Sequence, residues 1–111
     1  MTKENVTDEL YKLKAEVMQA LSHPIRLKIV DFLSQGEKCV CEVVDFLGSE
    51  RTNISKHLSI LQKADILSSR KSGLNVYYKV NMCCISKFIA CSEEMIKYHL
   101  NKSAELLKGG K

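Results

Sequence analysis

A single proline and five glycines among 111 residues leave little room for linkers, and neither a low-complexity stretch nor an internal repeat interrupts the chain. Long hydrophobic runs are missing as well. Apolar residues make up 45% of the sequence, yet no segment is long and apolar enough to span a membrane. The opening MTKENVTDEL is polar and mixed in charge, unlike a signal peptide, so the expectation is a cytoplasmic chain with no membrane partner. There is no CxxC, no cofactor loop and no Ser/His/Asp or Cys/His set, which argues against a small thiol enzyme and against an organic cofactor. His23 beside Pro24 reads as a cap or surface residue, and His57 and His99 read as ordinary helix positions. The length suits one domain, 1–111, with a modest core. A formal net charge of +4 leans towards an anionic partner.

Acidic residues are also missing from Arg51 to Gln62, inside the stretch GSERTNISKHLSILQKADIL that runs from Gly48 to Leu67. Here Ile54, Leu58 and Leu61 recur at helical spacing and mark a buried face. At about 100° per residue the opposite face carries Thr52, Lys56, Ser59 and Lys63, with Arg51, Asn53 and Ser55 near its start. An arginine, a lysine, an amide and small hydroxyls suit a helix lying in a DNA major groove. The cations hold phosphate while the shorter polar groups reach base edges. The other reading, a solvated face of a core helix, is decided by the neighbouring segments.

In chain order, residues 1–6 read as a mobile tail. A helix follows from about Thr7 to Leu21 on Leu10, Leu13, Val17 and Leu21, with Thr7 as its N-cap. SHP breaks it, and a second helix opens on Pro24 and runs to about Leu33, capped by Ser22 or His23. After Ser34-Gln35-Gly36, a short helix entered through Glu37-Lys38-Cys39-Val40-Cys41 ends near Leu47. Gly48-Ser49 makes the turn, with Ser49 placed to cap the polar-faced helix. That pair of helices is a helix-turn-helix. Next, Ile66–Arg70 and Val76–Val80 are β-prone runs around Lys71-Ser72-Gly73-Leu74-Asn75, a hairpin whose tip carries Arg70 and Lys71 for phosphate contact. The fold class expected is mainly α with a β-hairpin wing. A last helix from about Met82 to Leu107 bears a stripe of Ile85, Phe88, Ile89, Met95, Ile96 and Leu100. Such a stripe at each end of the chain is more than a small core can bury, and it points to a homodimer built through the terminal helices.

Five cysteines in a reducing compartment do not read as a disulfide framework. Cys39 and Cys41 sit where a helix starts, beside Lys38, which favours thiolate and hence soft ions. Positions i and i+2 of a regular helix point about 200° apart. The two sulfurs can therefore share an ion only if one of them precedes the helix or the first turn gives way, and ligation is expected to distort that turn. Cys84 and Cys91 lie about 10.5 Å apart along an unbroken helix, too far for one ion to hold both at about 2.3 Å.

LSHPIRLKIVDFL, EKCVCEVVDFLG, SERTNISKHLSILQKADIL and SSRKSGLNVYYKV together resemble the ArsR/SmtB family of winged-helix repressors over about residues 15–82. The resemblance implies a homodimer on a palindromic operator, released when a soft ion such as As(III), Cd(II), Pb(II) or Cu(I) binds. The helix face and wing read above place Arg51, Thr52, Asn53, Ser55, Lys56, Arg70 and Lys71 at the operator. The Cys39-Val40-Cys41 box matches the arsenic- and cadmium/lead-responsive members, and Cys83, Cys84 and Cys91 resemble the last-helix thiols of others. Two departures stand out: Val44 occupies the place of a third box cysteine, and no cysteine precedes Cys39. The last helix opens on Asn81-Met82-Cys83-Cys84, without the hard ligands of a zinc or nickel site. A repressor of the same fold that senses thiol oxidation or persulfidation is the alternative.

Overall fold

A computed structural model describes residues 3–82 and 84–109. The chain runs α1 (Lys3–Leu21), α2 (Pro24–Leu33), β1 (Lys38–Cys39), α3 (Val40–Leu47), α4 (Arg51–Lys63), β2 (Leu67–Ser72), β3 (Asn75–Val80) and α5 (Ile85–Gly109). The core forms where the apolar stripes of α2, α3 and α4 converge: Ile29, Val30, Val43, Ile54, Leu58 and Leu61 are fully enclosed, with Ile66 and Leu67 closing it from the sheet side. The stripe Ile54, Leu58, Leu61 thus faces inward as its spacing predicts.

Helix ends follow local chemistry. His23 caps α2, its Nδ1 accepting the Ile25 N–H at 3.1 Å, and Pro24 takes the first helical position. Gly48 ends α3 in the left-handed region at φ 65°, the conformation that turns the chain from α3 into α4 at no steric cost. Two expected caps are corrected. Glu50, not Ser49, precedes α4, and it makes no side-chain capping bond. Thr7 lies inside α1, which already begins at Lys3, so residues 3–6 are helix and not tail, while residues 1–2 lie outside the described residues. Nothing between Lys3 and Thr7 breaks a helix, and Val6, Leu10 and Leu13 extend the apolar spacing towards the N-terminus.

The wing is a three-stranded antiparallel sheet in the order β1-β3-β2. Strands β2 and β3 pair from Leu67↔Val80 to Ser72↔Asn75 around a Gly73-Leu74 turn, where Gly73 takes φ 62°. Arg70 and Lys71 therefore lie within β2 and not at the tip. The third strand, unforeseen from the sequence, is only Lys38–Cys39, which pairs with Tyr78 and Tyr77 of β3. Helix α5 opens at Ile85 rather than near Met82, because Asn81 is tied down: its N–H donates to the Ile66 carbonyl and its side-chain amide to the Asp65 carbonyl, each at 2.9 Å.

The terminal helices are only partly used by this core. Ile85 is 3% exposed and Ile89 packs beside it, so both belong to the chain's own interior. Phe88 at 56%, Ile96 at 54%, Met95 and Leu100 remain uncovered, as do Leu10 at 49% and Leu13 on α1. No helix among the described residues is long and apolar enough to cross a membrane.

Candidate DNA interface and its thiol pair

With its apolar stripe buried, α4 turns Arg51, Thr52, Asn53, Ser55 and Lys56 to solvent. Gly48, Ser49, Glu50, Thr52, Asn53 and Lys56 line a shallow hollow at its start. Among the described residues this face makes no ion pair, so its cations are free to meet an anion. The end of α4 is joined to the wing by Gln62, whose amide donates to the Ser69 hydroxyl at 3.0 Å. This bond ties the end of α4 to β2.

The two wing cations expected to contact phosphate differ. Lys71 is exposed and forms no ion pair among the described residues. Arg70 is engaged. Its Nε donates to Glu37 Oε1 at 2.7 Å and its Nη2 reaches the same oxygen at 2.5 Å, while the guanidinium lies 4.8 Å from the centre of the Tyr77 ring. The hydrogen bond to Glu37, and then the charge of that carboxylate, push the Arg70 pKa up. Sequence reasoning placed Arg70 on the DNA side and missed its partner, since Glu37 is 33 positions away.

On the inner side of α4 lies a small polar cluster. The His57 ring is 4.5 Å from that of His23, inclined at 45°. His57 Nδ1 and Arg26 Nε are shut away from solvent and find no hydrogen-bond partner among the described residues. Burial first, then the charges of His23 and Arg26, lower the His57 pKa below 6.5.

Cys39 and Cys41 are joined by a disulfide, with their Cα atoms 5.4 Å apart. The geometry follows from the placement of Cys39 at the N-cap of α3, in extended conformation at φ −78°, ψ 160°, while Cys41 is in the first turn. One sulfur precedes the helix, which is the condition the spacing demands. The cap is complete. Cys39 Sγ accepts the Glu42 N–H at 3.4 Å, and Glu42 Oε1 accepts the Cys39 N–H at 3.2 Å, a capping box with sulfur in place of a hydroxyl. With the two sulfurs bridged, α3 still runs regularly from Val40.

Among the described residues, no further thiol is bonded to this pair. Cys84 and Cys91 are free and exposed, and Cys83 lies outside the described residues. No three of the His, Cys, Asp and Glu side chains among the described residues gather into a metal-holding group. Only on reduction would Cys39 and Cys41 present two adjacent thiols, a donor pair suited to a soft ion and not a hard one.

Residues 23–69 match the family described as bacterial regulatory protein, arsR family. An HTH-type transcriptional regulator of Methanocaldococcus jannaschii is 43% identical over 75 residues, covering 66% of this chain and 84% of that one. The chain belongs to the ArsR family. The arsenical resistance operon repressor of Staphylococcus xylosus is 32% identical to this ArsR-family chain over 71 residues, 64% of this chain and 68% of that one. Among solved structures, the homodimeric winged helix-turn-helix DNA-binding domain from Mycobacterium bovis superimposes with a TM-score of 0.75 at 25% identity, covering 92% of this chain and 93% of that one. These relatives of the ArsR-family chain are transcription regulators, not enzymes.

Proposed function

We propose that this ArsR-family chain, acting over 1–111 as one winged-helix unit, is a homodimeric repressor. It binds a palindromic operator and leaves it when Cys39 and Cys41 hold a thiophilic ion such as As(III). The observation that carries this reading is the position of Cys39 at the N-cap, which brings its sulfur beside that of Cys41 at the entry to α3. Helix α3 leads through Gly48 straight into α4. Strand β1 meanwhile ties Cys39 to Tyr77 in the wing. The thiols therefore adjoin both parts of the DNA-facing surface. In the reduced protein the two thiolates would hold the ion, and Cd(II), Pb(II) and Cu(I) share the required softness. The Staphylococcus xylosus relative, named for arsenical resistance, supports the choice of As(III). A third thiolate would have to come from Cys83, Cys84 or Cys91, of the same chain or of the partner.

The disulfide itself favours a second reading, in which oxidation is the signal. Cys39 and Cys41 give up two protons and two electrons to a peroxide or persulfide and form one S–S bond, which a dithiol reductant reopens. Anisotropy of labelled operator separates the two. Reduced protein released by As(III) and restored by a competing dithiol chelator supports ion sensing. Release by oxidant, reversed only by reductant, supports the second reading. If neither agent moves the protein off DNA, the thiol pair is not a switch.

A further inference from the structure

Glu37 lies two positions before Cys39, and its carboxylate is engaged by Arg70 of the wing. It lies immediately before β1, and the backbone of β1 is laddered onto β3 at Tyr78 and Tyr77. Tyr77 is also the strand partner of Arg70. Cys39, Tyr77 and Arg70 thus form one row across the sheet. Glu37 reaches along its edge to clasp the Arg70 guanidinium, which the Tyr77 ring supports from beneath. Both partners keep access to water, with side chains 58% exposed for Arg70 and 30% for Glu37. An ion pair in such a setting is weak enough for a polyanion to challenge.

We infer that Glu37 is an internal competitor for DNA phosphate: its carboxylate occupies the Arg70 donors that the wing would otherwise present to the duplex. This rests on the reading that the wing meets DNA. A phosphate oxygen and a carboxylate oxygen seek the same donors in the same plane, so Arg70 cannot serve both fully. The wing of the resting protein therefore presents Lys71 as its free cation in β2 and holds Arg70 in reserve. Because only Lys38 separates Glu37 from Cys39, a rearrangement at the thiols has one intervening residue of backbone to cross to the clasp.

The test needs no operator sequence, since phosphate contact is independent of base sequence. Full-length reduced protein is titrated onto a fluorescein-labelled duplex of mixed sequence at several salt concentrations. Glu37→Gln removes the charge while keeping the shape. It should tighten binding about two- to fivefold and steepen the logarithmic salt slope by about one. In the double variant Glu37→Gln/Arg70→Gln the gain should vanish. Glu37→Gln with unchanged or weakened affinity and an unchanged slope overturns the inference, and a gain that survives in the double variant does the same. Lys71→Ala separates the failures. If it lowers the slope while Glu37→Gln does nothing, the wing contacts DNA and Glu37 is no competitor. If neither changes the slope, the wing assignment falls along with the inference.

Discussion

Cys39 and Cys41 meet sulfur to sulfur across the start of α3, and the same Cys39 sulfur accepts the Glu42 N–H. One atom therefore caps the helix and, in the proposed function, also serves as a sensor group. This relationship predicts an asymmetry between the two cysteines. Serine is among the favoured N-cap residues, so Cys39→Ser should keep or improve the cap of α3 and leave the melting temperature near wild type. Cys41 is exposed and caps nothing, so Cys41→Ser should also fold normally. Each variant should bind DNA as the reduced wild type does, yet fail to be released by As(III) or by oxidant. A coupling of about 1–3 kcal/mol, or about 5–150-fold in affinity, is what each should lose. A Cys39→Ser protein that releases DNA at the wild-type ion concentration would move the sensing site elsewhere.

The reading face makes a different demand. Lys56 and Thr52 are exposed on α4 and Lys56 forms no ion pair among the described residues, so removing it should disturb no internal contact. Lys56→Ala should leave the unfolding curve unchanged, cost about 1–3 kcal/mol on operator DNA and relax discrimination against a scrambled duplex. Equal affinity for operator in variant and wild type would show that another face reads the bases.

Much of this was legible because the informative patterns are local. The stripe Ile54, Leu58, Leu61, the glycine that turns α3 into α4 and the Gly73 hairpin each depend on neighbours within a few positions, which spacing alone exposes. The failures are those of distance and of economy. A two-residue strand such as Lys38–Cys39 has no period to detect, and it exists only because β3 supplies its partner about 40 residues later. The clasp between Glu37 and Arg70 arises from that same pairing. Cys39 as a cap was hidden because cysteine is not among the usual capping residues, so the box it forms with Glu42 carried no familiar signature. In α5 the periodic stripe was right, but periodicity does not say which members a chain keeps for itself. Ile85 and Ile89 go inward, and Phe88, Met95, Ile96 and Leu100 do not.

That division sets the choice of variant for the assembly. Changing Ile89 would injure the chain's own interior, whereas Ile96 is 54% exposed and can be altered without touching it. Ile96→Asp should retain the helical content of the wild type but place a charge in any seam formed by the α5 stripes. Sedimentation should show dimers for the wild type and monomers for the variant at micromolar protein, with operator affinity falling alongside. Wild-type monomers that still bind a palindrome tightly would remove the terminal helices from the interface.

His57 carries the remaining prediction, because α4 bears on its inner side a histidine whose charged form is disfavoured. Burial disfavours its charged form, and His23 and Arg26 add to the effect, so its pKa in the native chain lies below 6.5. The unfolded chain takes up the proton near 6.5 and the folded chain only at lower pH. Between those two values the unfolded state binds more protons, so stability rises with pH there and falls as the solution is acidified. The contribution of His57 is therefore complete above about pH 6.5 and is lost progressively below it, until the native pKa is reached. Melting temperatures followed from about pH 7.5 down to about pH 5.5 should fall for the wild type. His57→Gln keeps a polar side chain but cannot take the proton, so its decline should be shallower. The difference should open only below about pH 6.5 and should not depend on salt strongly, because the groups involved are partly enclosed between α2 and α4. Parallel curves for the two proteins over that range would mean that His57 titrates alike in the folded and unfolded chains, and the lowered value would be wrong.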